Sequence, residues 1–369
     1  MSVLDGIKVV ELGQVLAGPF AGAILADLGA TVVKVEKPDG GDDARQMGPA
    51  FRHGDALNFH EFNRGKRSVT LDLKSPEGVA ALHGLLGDAD ILVHNLRPGV
   101  AEALGIGPDV VTARHPRLIY CAMGAFGHKG PLAHRPGYEP LFQAFAGLSS
   151  ITGEPGGPPV RMGASVVDQG TGMWTVIGAL AALQQRARTG RGCVVNTSLF
   201  ETALMWGGQK ISAYVNQGRL PERHASGHPN FVPYQAFDCA DGPLLVCCGN
   251  DRLFRKFADV LGQDWPADPR FATNRLRLAN QQALLPEIAG LLRARPRAEL
   301  AEALIAAGVP CSPVNSIPEV LAEPQTAAME MLQPVPGEDF SLVATPISFD
   351  GERPRIRHGA PRLGETPPD

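Results

Sequence analysis

The stretch IKVVELGQVLAGPFAGAILADLGATVVKV, residues 7–35, decides the fold. Ile7–Leu12 is a short apolar run that predicts a buried parallel strand, Pro19–Leu28 predicts the helix after it, and Thr31–Val35 predicts the next strand. Such a β–α–β unit begins a doubly wound α/β domain. The connecting loop Gly13–Pro19 lacks the GxGxxG pattern, so the dinucleotide fingerprint is absent.

Strands and helices continue to alternate through the first 200 residues. Further strands are predicted at Arg67–Leu73, Asp90–His94, Leu118–Ala122 and Cys193–Thr197. This alternation is typical of a mostly parallel sheet that is covered by helices on both faces. The sequence therefore predicts the α/β class.

The composition changes after residue 215, where a Gly-, Pro- and His-rich linker, Asn216–Pro233, precedes a predicted hairpin and three helices. The hairpin pairs Tyr234–Phe237 with Pro243–Cys248. A chain of 369 residues is too long for one ordinary core. We therefore predict a large domain over residues 1–200 that the C-terminal segment 330–369 completes, a linker helix and loop over 201–232, and a small α+β domain over 233–329.

Composition excludes several classes of protein. The net charge of -4 argues against a nucleic-acid-binding or membrane-surface role. No signal pattern opens the chain, and no apolar run approaches the ~20 residues of a membrane helix. The six cysteines form no CxxC pair, which favours free thiols in a reducing compartment. We expect a cytoplasmic protein.

Common catalytic motifs are absent from the sequence. His224 and His228 are four residues apart, but they lie in the linker and not on a helix, so we predict no metal site. Neither a GxSxG nucleophile motif nor a phosphate-binding P-loop occurs.

One carboxylate stands out in the segment PPVRMGASVVDQGTGMW, residues 158–174. Ala164–Val167 predicts a strand that ends at Asp168, a Gly-spaced turn follows, and Met173–Leu183 predicts a long apolar helix. Asp is a favoured helix N-cap, so Asp168 is either a cap or a reactive carboxylate in a Gly-lined site.

Basic residues near several strand ends indicate either one anionic site or an ordinary solvated rim. These residues are Lys34, Lys37, Lys66, Arg67, Lys74 and Arg97.

With these residues in view, the whole chain resembles the class III CoA-transferases, the CaiB/BaiF family. The matching pieces include LDGIKVV (4–10), LAGP (16–19), LGATVVKVEK (28–37), NRGKRS (63–68), LDLK (71–74), HNLRPG (94–99), RPGYE (135–139), the Asp168 segment, TGRG (189–192) and GNDRLF (249–254). The resemblance implies a Rossmann-like large domain, a small domain and an interlocked homodimer.

The resemblance also implies roles for particular residues. It makes Asp168 the nucleophile and coenzyme A a substrate, without a tightly bound cofactor. Together with the basic strand ends, it places the CoA contacts at Val15, Leu16, Ala17, Lys37, Leu71, Lys74, Asn95, Leu96 and Arg97. At two positions where some relatives have a basic residue that contacts CoA, this sequence has Ala103 and Pro136.

Transfer of CoA between carboxylic acids requires a carboxylate to attack a thioester, and a prepositioned Asp168 does this best. The backbone N–H groups of Gln169 and Gly170 are candidates to stabilise the oxyanion. Glu139 is predicted to bind or orient the substrate, and the alternative is a helix N-terminal carboxylate. Relatives place the loop with Arg45, Arg52 and His53 near the acyl group, so the resemblance implies a small dicarboxylate such as succinate as one partner.

Two other functions stay open at this point. The same superfamily includes α-methylacyl-CoA racemases, which need acid and base groups on both faces of the α-carbon. Tyr138 and Glu139 occupy the equivalent positions, without an imidazole. The third hypothesis is a CoA-binding protein without catalysis.

Overall fold

The computed structural model describes residues 2–367, which form two compact units. The large unit contains the described residues up to Ser149, Arg161–Leu220, and the segment from Pro324 onward; the small unit contains Ser150–Val160 and Pro221–Glu323. The boundaries differ from the sequence prediction, because 150–160 and 221–232 belong to the small unit, whereas 201–220 and 324–329 belong to the large one. Within the small unit, Arg223 donates hydrogen bonds to the carbonyls of Ser150 and Gly157, which fixes the 150–160 segment.

The elements of the large unit up to residue 220 follow in chain order. They are β1 (Lys8–Leu12), α1 (Ala17–Asp27), β2 (Thr31–Glu36), β3 (Phe51–Arg52), β4 (Asp55–Ala56), α2 (Leu57–Asn63), β5 (Lys66–Thr70), α3 (Pro76–Gly87), β6 (Ile91–His94), α4 (Val100–Ala103), α5 (Pro108–Arg114), β7 (Ile119–Gly124), α6 (Glu139–Phe145), α7 (Val166–Thr189), β8 (Val194–Ser198), α8 (Leu199–Trp206) and α9 (Gly208–Gln217).

The small unit and the C-terminal segment contain the remaining elements. Those of the small unit are β9 (Tyr234–Cys239), β10 (Gly242–Cys247), α10 (Asp251–Val260), α11 (Asn274–Ala279), α12 (Gln281–Arg293), α13 (Arg297–Ala306), β11 (Cys311–Pro313) and α14 (Ile317–Ala322). Those of the C-terminal segment are α15 (Pro324–Ala328), β12 (Leu332–Pro334) and β13 (Ser341–Val343).

The six-stranded sheet of the large unit has the order β5-β2-β1-β6-β7-β8, and every neighbouring pair is parallel. This confirms the predicted α/β class with a mostly parallel sheet. Helices α1 and α7 cover one face, and α3, α4 and α5 cover the other. The strand order reverses between β1 and β6, so the helices that follow these two strands lie on opposite faces of the sheet, and a crevice is expected at the carboxyl edge.

The segment around Asp168 differs from its prediction. Ala164–Val167 is not a strand, because α7 begins at Val166 and Asp168 lies in its first turn. The glycines after Asp168 are helical and make close packing possible: a Cβ on Gly170 would lie 2.7 Å from the Trp206 ring, and one on Gly172 would lie 2.9 Å from the Ala17 carbonyl oxygen. The Gly spacing therefore reflects helix packing and not a turn.

Candidate active site

A cavity of about 620 Å³ lies at the carboxyl edge of the parallel sheet, within the large unit. Its walls come from the loops after β1, β6 and β7, from the start of α6 and from the first turn of α7. Nine of the fourteen predicted site residues line it: Val15, Leu16, Ala17, Asn95, Leu96, Arg97, Tyr138, Glu139 and Asp168.

Asp168 projects from the first turn of α7 into this cavity and is half-buried. Burial, with a further contribution from the Glu139 carboxylate, raises the pKa of Asp168 to about 7. Among the residues that the structure describes, none donates a hydrogen bond to its side chain. Asp168 is therefore a carboxylate without a partner, more basic than an ordinary aspartate and open to a ligand.

Glu139 holds the start of the Asp168 helix. Its side chain is 3% exposed, and Oε1 accepts a hydrogen bond from the backbone N–H of Val167 at 3.2 Å. That N–H belongs to the first turn of α7, where no carbonyl of the helix itself is available. Glu139 Oε2 is buried and has no hydrogen-bond partner within residues 2–367.

Gln143 orients Glu139 and was missed by the sequence analysis. Its Nε2 donates to Glu139 Oε1 at 2.8 Å, and its Oε1 accepts the backbone N–H of Met162 at 2.8 Å. The two side chains are four residues apart on α6, so they share one face. That spacing was the signal available in the sequence.

The predicted oxyanion donors are used inside the helix. The N–H of Gln169 donates to the Ser165 carbonyl at 3.0 Å, and Gly170 lies within α7, where each N–H bonds the carbonyl four residues before it. The prediction that Gln169 and Gly170 stabilise an oxyanion is therefore wrong for this conformation.

The start of α1 offers a site for an anion. Leu16 is the N-cap residue and makes no side-chain cap, so the first N–H groups of the helix lack partners from that side chain. The loop before it is clamped by Asn95, whose Oδ1 accepts the N–H of Gln14 and whose Nδ2 donates to the Gln14 carbonyl, both at 2.8 Å. Arg97 is exposed at the same cavity wall. Helix N–H groups beside a guanidinium suit a phosphate.

Two of the basic residues near strand ends lie neither at an anionic site nor on a solvated rim, because both are buried in ion pairs. Lys34 Nζ lies 3.0 Å from Glu11 and 2.9 Å from Asp42, and Lys66 Nζ lies 2.6 Å from Glu11. Both lysines are fully buried. Burial alone would lower the pKa of Lys34, but the carboxylates of Glu11, Asp42 and Glu36 outweigh it and raise that pKa.

Three predicted CoA contacts lie outside the cavity walls. Lys37 is paired with Asp43 at 2.7 Å, and Leu71 is buried in the core. Lys74 lines a second cavity of about 690 Å³, together with Ala103 and Arg114. Arg114 is a cation that the sequence analysis missed, because its distance of 40 residues from Lys74 hides their proximity.

Arg45, Arg52 and His53, the residues invoked for a dicarboxylate, do not line the cavity. Arg45 is buried between Glu36 and Asp55, with both N–O distances at 2.7 Å. His53 lies 2.9 Å from Glu338 in the C-terminal segment, and Arg52 lies 4.0 Å from Asp339. The structural support for the dicarboxylate from Arg45 is therefore lost, since its charge is already neutralised.

Within residues 2–367, no group of three His, Cys, Asp or Glu side chains is arranged to hold a metal ion. Over the same range, no helix is both long and apolar enough to cross a membrane.

The sequence profile of CoA-transferase family III matches residues 4–366, and the chain belongs to this family. It is therefore a class III CoA-transferase, an enzyme family that uses CoA thioesters as substrates. It is 38% identical to the acetyl-CoA:oxalate CoA-transferase of Acetobacter aceti, over 98% of this chain and 93% of the relative.

Other relatives agree with this assignment. The succinate–glutarate CoA-transferase of Agrobacterium fabrum is 38% identical over 98% of this chain and 93% of its own. The crystal structure of a CaiB/BaiF family protein from Brucella suis superposes with a TM-score of 0.90, at 38% identity, and covers 99% of this chain and 97% of that one.

Proposed function

We propose that this enzyme moves CoA from an acyl-CoA thioester to a carboxylic acid through a covalent intermediate on Asp168. The observation that carries the proposal is the unpartnered Asp168 carboxylate, which faces the same cavity as the start of α1 and Arg97. The named relatives are transferases, so they lend no support to the racemase or the non-catalytic alternative.

The first half of the reaction loads CoA onto the enzyme. An Asp168 oxygen attacks the thioester carbonyl carbon, the C–S bond breaks, and its electron pair leaves on sulfur as CoA thiolate. The product on the enzyme is a mixed anhydride. The thiolate then attacks the Asp168 carbonyl carbon, which releases the first acid as its carboxylate and forms an aspartyl–CoA thioester.

The second half repeats these steps with the acceptor. The acceptor carboxylate attacks the aspartyl thioester, and the thiolate leaves again. The thiolate then attacks the acceptor carbonyl of the new anhydride, which regenerates the Asp168 carboxylate and releases the new acyl-CoA. A pKa near 7 makes Asp168 a stronger nucleophile than an ordinary aspartate while leaving much of it ionised at neutral pH.

A dicarboxylate is the acid class that we propose for one partner. Oxalate, succinate and glutarate appear in the names of the two relatives described above. A panel of acyl-CoA donors against mono- and dicarboxylates, read by mass spectrometry, tests this. Equal rates with monocarboxylates would contradict it.

We also propose the interlocked homodimer that the family resemblance implies. Its support is a set of large apolar side chains on α7, α8 and α9 that no other part of the described chain buries. These exposed side chains are Met173, Ile177, Met205, Tyr214 and Val215. Sedimentation equilibrium tests the dimer, and a monomer at micromolar concentration would refute it. The cytoplasmic location stays a prediction.

Trapping the intermediate tests the central proposal. The enzyme is incubated with an acyl-CoA, quenched with hydroxylamine and digested, and we expect a hydroxamate on Asp168. Asp168→Ala is expected to lose at least ~10³-fold in turnover, and Asp109→Ala, which removes an exposed carboxylate on α5, provides the matched control. Retained transferase activity in folded Asp168→Ala would end the proposal.

A further inference from the structure

Val15 adopts a backbone conformation that its side chain disfavours. Its φ is +65°, in the left-handed region, where a β-branched residue is rare. Val15 lies between β1 and α1 and lines the same cavity as Asp168. Residues outside the loop must stabilise this conformation of Val15, since a strained backbone conformation persists only where contacts with the surrounding structure fix it.

Asp42 is the residue that hydrogen-bonds to the backbone of Val15. Its Oδ1 accepts the backbone N–H of Val15 at 3.0 Å and the N–H of Ala44 at 2.9 Å. Asp42 is 2% exposed and follows β2 by six residues, so it reaches the Val15 loop from a neighbouring strand. It does not line the cavity itself.

A buried chain of charges fixes Asp42 in turn. Asp42 Oδ2 pairs with Lys34 at 2.9 Å, Lys34 pairs with Glu11, and Glu11 pairs with Lys66. Lys34 also donates to the Gly13 carbonyl at 2.7 Å, at the beginning of the same loop. The loop is therefore anchored at Gly13 and at Val15 by one connected network inside the sheet.

We propose that Asp42 is a positioning residue for the CoA thioester, which acts by holding Val15 in the left-handed conformation that shapes the cavity wall. The proposal rests on the proposed function for the identity of the ligand. A residue with this role controls how tightly the ligand binds, whereas Asp168 controls the chemical step.

A double-mutant cycle tests the proposal by calorimetric titration with coenzyme A. Glycine adopts positive φ freely, so Val15→Gly removes the strain that Asp42 has to oppose. We expect Asp42→Ala to raise Kd about tenfold in the wild-type background and less than about threefold in the Val15→Gly background. Asp109→Ala is the matched control, with an unchanged Kd.

The outcomes separate the alternatives. An unchanged Kd in Asp42→Ala, or the same factor in both backgrounds, would overturn the positioning role. If Asp42→Ala does not fold, Asp42→Asn takes its place, because Asn retains an acceptor for the Val15 N–H; we expect its Kd to stay within about threefold of the wild-type value, and a roughly tenfold rise would overturn the role as well. A wild-type enzyme that does not bind CoA would instead refute the proposed function.

Discussion

The Glu139 carboxylate accepts a hydrogen bond from the backbone N–H of Val167 at 3.2 Å, one residue before Asp168. The same carboxylate contributes to the raised pKa of Asp168. Glu139 therefore both positions the proposed nucleophile and opposes its ionisation.

Replacement of Glu139 by Gln separates these two effects, because Gln keeps an oxygen for Val167 and removes the charge. Without that charge, Asp168 should ionise at lower pH, so the acid limb of kcat/KM against pH should move below its wild-type position near pH 7. Glu77→Gln, on the exposed face of α3, provides the control. An acid limb that stays in place would show that the Glu139 charge does not act on Asp168.

Asp168→Asn should make the enzyme more stable at pH 8 and inactive. A carboxyl whose pKa is higher in the folded than in the unfolded protein binds more protons when folded, so stability falls as pH rises from its ordinary 3.8 to about 7. Asn has no carboxyl group that ionises, so the variant does not lose stability over this pH range. We expect a gain in Tm on the order of 1–2 °C at pH 8 and none at pH 4, by calorimetry. A gain of equal size at both pH values would point to packing and not to charge.

Gly170→Ala should destabilise the enzyme by about 1–3 kcal/mol, because the new methyl group would lie 2.7 Å from the Trp206 ring. Gly84→Ala is the matched control, since Gly84 lies in α3 and has nothing within 4 Å of the added Cβ. There the change should stabilise by roughly 0.5–1 kcal/mol. Chemical denaturation measures both, and effects of the same sign would contradict the packing argument.

Arg97→Ala should raise KM for the acyl-CoA roughly three- to tenfold at low salt and weaken its dependence on ionic strength. The exposed guanidinium at the cavity wall is the physical reason. Arg188→Ala, in the last turn of α7, removes an equal charge elsewhere and should leave KM unchanged. If KM of Arg97→Ala for the acyl-CoA still depended steeply on ionic strength, other cationic groups would be responsible for the attraction of the acyl-CoA.

The sequence predicted the parallel sheet because the strands at Lys8–Leu12 and Thr31–Glu36 are short apolar runs with a helix between them. It also predicted most of the cavity, because parallel strands place the loops with Val15 and Asn95 at one edge. The sheet depends on local patterns, whereas the individual residues of the cavity were named from the family resemblance. The family resemblance supplied the role of Asp168.

Two of the errors come from contacts between residues that are distant in sequence. Lys34 and Lys66 were expected either at an anionic site or on a solvated rim, since lysine is ordinarily exposed, and only the folded chain brings Glu11 and Asp42 to them. The start of α7 was misplaced because Glu139, 28 residues away, provides the acceptor for Val167. Neither partner can be identified from spacing along the chain.

The two hydrogen bonds between Gln14 and Asn95 join positions 81 residues apart, at the ends of the neighbouring strands β1 and β6. The wall of the cavity therefore cannot exist in a nascent or partly folded chain that has only the first β–α–β unit. Non-local pairing of this kind is formed late and slowly, because the loop must be closed before its contacts contribute. On the proposed function, recovery of coenzyme A binding after dilution from denaturant is expected to follow the pairing of β1 with β6, later than the recovery of helical signal.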